Sequence, residues 1–237
     1  MPRLALMIDL ERCTGCKSCE AACKSEHALG PTERHNRVVW LGSKLEENSD
    51  NNQALDFLAL ACQHCERPAC VRACPVSPKA ISKNKETGVV TVNEDACVGC
   101  GECVTACPYG AMGFDPDGRH AVKCDLCSDR RAEGATTTAC AAVCPTKAIT
   151  FGPRDELLKT TEANNREMIK NDPFLLGPAT IYLDRITNKQ EKFDAADRNS
   201  PKVIDSFTKI SIDDTVFPYG HNREDREITR IETGGCN

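Results

Sequence analysis

The chain has 237 residues, and its 30 Lys and Arg against 35 Asp and Glu give a formal net charge of -5. This balance offers no electrostatic basis for binding nucleic acid or anionic lipid. The longest apolar stretch, residues 54–62, is far shorter than the roughly 20 residues of a membrane-spanning helix, which predicts a soluble or peripheral protein. Only 5% of the residues are aromatic, so the large side chains that usually fill a core are scarce.

The first sixty residues predict short elements separated by loops. Residues 4–10 are apolar and predict a strand, and residues 17–27 predict the helix that follows it. We interpret residues 28–61 as an insertion that contains a strand at 37–41 and a polar loop at 46–53.

One unit then recurs along residues 62–152. Each copy is a Cys-Pro turn followed by a small residue and an aliphatic residue that enter a strand, and the copies begin at Cys74-Pro75, Cys107-Pro108 and Cys144-Pro145. Turn sequences at 85–88 and 115–118 precede short apolar segments and predict two hairpins.

The last third of the sequence has a different composition. Residues 153–170 predict a helix, with Asp155 and Glu156 in its first turn, and residues 177–183 predict a strand. Residues 184–237 are polar and poorly periodic, so they are either a disordered tail or an arm that docks on a partner. We favour the docking arm, because Phe217-Pro218-Tyr219 offers an apolar contact.

Sixteen of the 17 cysteines fall into four quartets. They are Cys13/Cys16/Cys19/Cys23, Cys62/Cys65/Cys70/Cys74, Cys97/Cys100/Cys103/Cys107 and Cys124/Cys127/Cys140/Cys144. The third has the spacing C-x2-C-x2-C-x3-C-P, which in bacterial ferredoxins gives three ligands to one [4Fe–4S] cluster and the fourth to another. Four quartets therefore predict four [4Fe–4S] clusters in an α+β fold of two ferredoxin-like units. The quartets must pair, and the spacing leaves open which pairs with which.

Two other uses of the cysteines are weaker interpretations. Disulfide frameworks are typical of short secreted proteins, and this sequence shows no secretory signal. Structural zinc is the more serious alternative, but zinc sites usually have two separate C-x2-C pairs and need no third cysteine followed by C-x3-C-P. Because metal binding contributes folding free energy, we expect the apoprotein to be poorly folded.

These motifs together resemble the four-cluster iron–sulfur subunit of dimethyl sulfoxide reductase-type molybdopterin oxidoreductases. The resemblance covers residues 4–152 densely and rests on Ile8-Asp9-Leu10-Glu11-Arg12-Cys13, Cys62-Gln63-His64-Cys65, Cys107-Pro108-Tyr109-Gly110, Lys123-Cys124-Asp125-Leu126-Cys127 and Cys144-Pro145-Thr146. One departure is that Lys24, and not Pro, follows Cys23.

The resemblance implies a ligand set for each cluster. Cluster one would be held by Cys13, Cys16, Cys19 and Cys144; cluster two by Cys23, Cys124, Cys127 and Cys140; cluster three by Cys62, Cys65, Cys70 and Cys107; and cluster four by Cys74, Cys97, Cys100 and Cys103. The corresponding domains are unit A (1–27 with 113–152), the insertion (28–61), unit B (62–112) and a C-terminal extension (153–237).

The resemblance also implies a function. The protein would pass electrons between a molybdopterin catalytic subunit, next to cluster one, and a quinone-reactive membrane subunit or cytochrome, next to cluster four. It would be matured in the cytoplasm and belong to a peripheral, membrane-associated complex on the cytoplasmic face or, after folded export with a partner, in the periplasm. The alternatives are a free-standing polyferredoxin and a zinc-bound scaffold.

A few residues outside the quartets carry expectations of their own. We expect Gly15, Gly99 and Gly101 to provide turns that bring backbone N–H groups to cluster sulfurs. His64 is interpreted as a hydrogen-bond donor to a cluster or a surface contact, and Cys236 as a free thiol. No acid–base or nucleophile pattern is visible, which predicts that this protein has no catalytic site on its own.

Overall fold

The structure is a computed structural model that describes residues 2–31, 33–40, 57–115 and 117–184. The described strands are β1 (Leu4–Asp9), β2 (Asn36–Trp40), β3 (Phe57–Ala61), β4 (Ile81–Lys83), β5 (Val90–Val92), β6 (Gly113–Asp115), β7 (His120–Val122), β8 (Ile149–Pro153) and β9 (Ile181–Leu183). The described helices are α1 (Ser18–Glu26), α2 (Ala69–Ala73), α3 (Glu102–Ala106), α4 (Ser128–Ala132), α5 (Ala139–Val143) and α6 (Arg154–Ala163). The predicted mixture of short helices and strands is confirmed.

Strand β1 is the centre of a three-stranded sheet with the order β8-β1-β9. It pairs antiparallel with β8 and parallel with β9. Because successive side chains of a strand point to opposite faces, Leu6 and Ile8 enter one apolar cluster while Ala5 enters another. Burial on both faces explains why this segment is almost wholly apolar.

Helices from distant parts of the sequence pack in pairs. Helix α1 packs against α5, and helix α2 packs against α3. The two predicted hairpins are confirmed, since β4 pairs antiparallel with β5 and β6 pairs antiparallel with β7. The fold therefore places the first quartet beside the fourth and the second beside the third.

The segment before the second quartet is a strand that the sequence analysis did not identify. Strand β3 pairs antiparallel with β2, with Val38 opposite Ala59. Residues 58–61 of β3 are buried, and the strand leads directly into Cys62. Its sequence alone indicates only an apolar approach to the cysteine, because its alternation is weak.

Two predicted elements of the C-terminal region are shorter than expected. The helix predicted over 153–170 ends at Ala163, and Asn165 has a left-handed φ of 49° just beyond it. The strand predicted over 177–183 is only β9, because Gly177 also has a left-handed φ, of 65°. The residues between α6 and β9 instead form a loop that lies over the second quartet.

Several expectations fall outside the described residues. These are the polar loop at 46–53, the arm at 185–237 with its apolar docking residues, and Cys236. Among the helices that the structure describes, none is both long enough and apolar enough to cross a membrane.

Candidate iron–sulfur centres

The first C-x2-C loop of each quartet shares one backbone feature. The residue immediately before the second cysteine has a positive φ in each loop: 70° at Gly15, 43° at His64, 69° at Gly99 and 59° at Leu126. This conformation is free of strain for glycine but costs roughly 1–2 kcal/mol for other residues. The structure therefore contains four copies of one cysteine-holding turn, two of which are strained.

Gly99 shows why glycine is needed in one of these turns. A Cβ atom at this position would lie 2.3 Å from the carbonyl oxygen of Arg119. No side chain can approach a backbone atom so closely, so the expected role of Gly99 in turn geometry is confirmed. The neighbouring Gly101 has a φ of 74° and begins α3, the helix that carries Cys103.

One cavity is lined by cysteines from the second and third quartets. Its cysteines are Cys62, Cys65, Cys70 and Cys107, and its other walls include Val90, Tyr109 and Leu176. The first three cysteines come from the loop after β3 and from α2, whereas Cys107 comes from the end of α3. We call this the Cys62 cavity.

A second cavity is lined by the remaining four cysteines of the second and third quartets. It is lined by Cys74, Cys97, Cys100 and Cys103, together with apolar residues such as Val76 and Ile81. The packing of α2 against α3 places Cys74 beside the third quartet, just as it places Cys107 beside the second. We call this the Cys74 cavity.

The other eight cysteines form neighbouring groups around α1 and α5. Burial raises the pKa of Cys13, and the nearby Cys144 and Cys16 raise it further. Burial likewise raises the pKa of Cys23, with Cys140 and Cys127 as its strongest cysteine neighbours. The pKa of the fully buried Cys124 is raised by burial and then by Cys140 and Cys23. The first and fourth quartets are therefore intermixed.

Burial raises the pKa of most of the buried cysteines. It raises the pKa of Cys19, Cys70 and Cys103 to about 12 and that of Cys127 to about 11. Such thiols keep their protons at neutral pH unless a cation compensates the thiolate charge. A cationic metal centre would supply that charge and release the protons. Four soft sulfur donors in one apolar cavity fit an iron–sulfur cluster, the group that the quartets predict.

Backbone N–H groups point at several of these sulfurs. Ala148 N–H donates to Cys144 Sγ at 3.2 Å, His64 N–H to Cys62 Sγ at 3.4 Å, and Ala139 N–H to Cys127 Sγ at 3.5 Å. Hydrogen bonds of this kind are one of the means by which a protein sets the potential of an iron–sulfur centre.

Of the two roles expected for His64, the surface contact is wrong. This residue is only 1% exposed, which excludes a surface contact, and its imidazole Nδ1 accepts a hydrogen bond from Val90 N–H at 3.0 Å. Its backbone N–H donates toward Cys62 Sγ, and its Nε2, which is buried with no hydrogen-bond partner among the described residues, is free to donate to a cluster as expected. The imidazole holds β5 beside the Cys62 cavity.

A histidine pair that no sequence pattern predicts lies beside the first and fourth quartets. The rings of His27 and His35 are 4.7 Å apart, and His27 Nε2 lies 3.7 Å from Cys127 Sγ. Donor atoms of Cys23, His27 and His35 lie within 4.8 Å of one another. Burial lowers the pKa of His35 to about 4, so this ring is neutral. No sequence motif links the two histidines, because the turn after α1 brings them together.

Comparisons with known proteins agree with this chemistry. A 4Fe-4S binding domain matches residues 4–25, and a 4Fe-4S dicluster domain matches residues 53–154. The B subunit of the anaerobic dimethyl sulfoxide reductase of Escherichia coli K12 is 42% identical over 156 residues, which are 64% of this sequence and 74% of that protein.

Two further relatives belong to other reductases. The thiosulfate reductase electron transfer subunit of Salmonella typhi is 32% identical over 187 residues, 79% of this sequence and 95% of the relative. The B subunit of the polysulfide reductase of Wolinella succinogenes is 35% identical over 150 residues, 63% of this sequence and 76% of the relative. The protein thus belongs to the family of iron–sulfur electron-transfer subunits of dimethyl sulfoxide reductase-type molybdopterin oxidoreductases.

Proposed function

We propose that the protein holds four [4Fe–4S] clusters with the ligand sets implied by its family resemblance. The observation that carries the proposal is the exchange of cysteines between the second and third quartets. Cys107 of the third quartet lines the Cys62 cavity, and Cys74 of the second quartet lines the Cys74 cavity with three cysteines of the third. The intermixing of the first and fourth quartets supports the same scheme for clusters one and two. Each bound cluster would accept and release one electron.

We also propose two ferredoxin-like units. Unit A combines residues 1–27 with 113–152, which is supported by the pairing of β1 with β8 and the packing of α1 on α5. Unit B spans residues 62–112, which is supported by the packing of α2 on α3. Residues 28–61 are the insertion and residues 153–237 the extension.

The proposed partners are a molybdopterin catalytic subunit and a membrane quinone-reactive subunit or cytochrome. The relatives are named as parts of reductases, which favours a subunit of a complex over a free-standing polyferredoxin. We propose that the complex is peripheral to a membrane and that the clusters are inserted in the cytoplasm. The cysteine cavities supply the sites that hold the clusters, and the chemistry on the substrate takes place in the catalytic partner.

Iron and acid-labile sulfide measured on anaerobically purified protein test the cluster count. Sixteen cysteines at four per cluster correspond to about sixteen iron atoms per protein molecule. About eight iron atoms, or stoichiometric zinc with no visible absorption, would contradict the proposal.

A serine substitution tests the pairing. Cys144→Ser should perturb the cluster held by Cys13, Cys16 and Cys19 and leave the electron paramagnetic resonance signals of clusters three and four intact. Loss of a signal from the Cys62 cavity, with the others untouched, would mean that the quartets pair differently.

A truncation tests the docking arm. Removing residues 184–237 leaves every proposed ligand in place, so the iron content should not change. The catalytic subunit should then co-purify weakly or not at all, because a polar segment gains its apolar contacts only from a partner. Loss of iron with retention of the partner would assign the segment to the ferredoxin-like core instead.

A further inference from the structure

Lys123 is a buried cation between the two pairs of quartets. It is 4% exposed, and its ammonium donates hydrogen bonds to the backbone carbonyls of Val90 and Cys124. Among the described residues, no carboxylate lies within ion-pair distance of this ammonium. Burying a charge without a counter-charge is strongly unfavourable, so the negative partner has to be sought elsewhere.

The two carbonyls that hold Lys123 belong to different cysteine groups. Val90 lines the Cys62 cavity, and its own N–H donates to the imidazole of His64 in the Cys62–Cys65 loop. Cys124 belongs to the group formed with Cys23 and Cys140. The ammonium therefore lies between one cavity of the second and third quartets and one group of the first and fourth.

The electrostatics follow this position. One of its carbonyl acceptors, Val90, lines the Cys62 cavity, and the other is the carbonyl of Cys124, a proposed ligand of cluster two. The charge of Lys123 therefore lies close to both groups of cysteines. Clusters bound by four thiolates are anionic, and they would supply the missing counter-charge.

We propose that Lys123 is a positioning residue that raises the midpoint potentials of clusters two and three together. The inference rests on the proposed ligand sets. A reduced cluster carries one more negative charge than its oxidised form, so a nearby fixed cation stabilises reduction. When an electron leaves one of these clusters and enters the other, the total charge of the two clusters stays the same, so one fixed cation between them stabilises both states of the pair.

Lys79 provides a matched comparison within the same protein. Its ammonium also donates to the carbonyl of a proposed ligand, Cys74, at 2.6 Å, and to Arg72 at 3.2 Å. Lys79 is exposed, however, so water screens its charge. The two lysines share hydrogen-bonding chemistry and differ in burial.

The test is a potentiometric titration of the full-length protein followed by electron paramagnetic resonance. Iron and sulfide content of the unmodified protein is measured first, which tests the proposed function separately. Lys123→Met should lower the potentials of clusters two and three and leave those of clusters one and four unchanged. Lys123→Arg, which keeps the charge, should stay near the unmodified values. Lys79→Met should shift cluster four alone, and by less.

Two results would overturn the proposal. One is a fully loaded Lys123→Met protein whose four potentials are unchanged or in which only one cluster shifts. The other is loss of clusters in Lys123→Met and Lys123→Arg alike, because packing by the side chain would then account for the residue. If Lys123→Met loses clusters two and three while Lys123→Arg keeps all four clusters, the proposal is supported. Lys123→Arg retains the positive charge that Lys123→Met removes.

Discussion

The Cys62 cavity and the Cys74 cavity are built from the same two quartets, yet the residues that line them differ in exposure. Tyr109 and Leu176 line the Cys62 cavity, and both are buried. At the Cys74 cavity Cys100 is exposed and the neighbouring Val98 is 60% exposed. Similar cysteine chemistry is thus placed in two different dielectric surroundings.

The cover over the Cys62 cavity is a loop from the C-terminal region, residues 171–177. Asp172 accepts hydrogen bonds from Leu176 N–H at 2.7 Å and Gly177 N–H at 3.0 Å, which closes the loop on itself. Tyr109 O–H donates to Asn171 O at 3.1 Å, and the Phe174 ring stands edge-on to Tyr109 at 5.4 Å. The loop is therefore anchored to the residues that follow Cys107.

The difference bears on electron transfer. Excluding water disfavours the more negative reduced form of a cluster, so the cover should lower the potential in the Cys62 cavity, whereas Lys123 should raise it. Solvent access at the other cavity favours exchange of electrons with a partner. A protected internal site and an exposed terminal site can thus arise from one repeated motif.

The largest expected effect is loss of both cavities when the clusters are removed. Helices α2 and α3 have five residues each, which is too short for stable helix formation without tertiary support. Extraction of iron by a chelator under reducing conditions should abolish cooperative unfolding and much of the circular dichroism signal. An apoprotein that still unfolds cooperatively would show that the apolar clusters suffice without metal.

A smaller effect should follow from opening the cover. Leu176→Ala removes a buried side chain from the cavity wall and should destabilise the protein by about 2–5 kcal/mol, measured as the denaturant midpoint for bleaching of the visible absorption. Cluster three should also be lost faster in air. Leu175→Ala is the control, because Leu175 is 72% exposed and its truncation should change stability by no more than about 0.5 kcal/mol. Equal effects of the two substitutions would contradict the assignment of Leu176 as the cover.

Removing the hydroxyl of Tyr109, which ties the covering loop to the residues after Cys107, should have a milder effect. Tyr109→Phe keeps the ring contact with Phe174 but loses the hydrogen bond to Asn171, which should cost about 0.5–1.5 kcal/mol. Hydrogen exchange at the amides of Leu176 and Gly177 should accelerate, since the loop loses one of its ties to the cysteine region. Unchanged exchange there would mean that the other ties, such as the bonds from Glu66 N–H to Gly177 O and from Arg67 N–H to Leu176 O, hold the loop without Tyr109.

The parts of the fold that could be predicted from sequence are those with local signals. The cysteine quartets, strand β1, helix α1 and the hairpin turns at 85–88 and 115–118 are each encoded within a few neighbouring residues. Their patterns report spacing, alternation and turn chemistry directly.

The parts that could not be predicted depend on distant residues. Tyr109 meets the covering loop 62 residues away, and Lys123 meets Val90 33 residues away. Lys123 comes directly after β7, which ends at Val122. In the sequence it looks like a polar residue at the end of a hairpin. Its burial depends on β5 and on the loop that carries His64, and no pattern around Lys123 itself indicates these contacts. The strained turns at His64 and Leu126 cannot be recognised in the sequence, because glycine is the only signal available for that conformation.

The smallest expected effect comes from adding an exposed charge at the Cys74 cavity. It is compared with the effect of the buried charge of Lys123. Val98→Lys adds a cation beside Cys97 and Cys100 but leaves it in water, so stability should change by no more than about 0.5 kcal/mol. The potential of cluster four should rise slightly at low salt and return toward the unmodified value near 1 M salt, where the screening length is about 3 Å. Val98→Gln, which is polar but neutral, should produce no shift. The change in potential caused by Lys123→Met should persist at high salt, because that ammonium is shielded from the counterions. If the shift at residue 98 resists salt as well, the Cys74 cavity is not open to solvent, and the contrast between the two cavities does not hold.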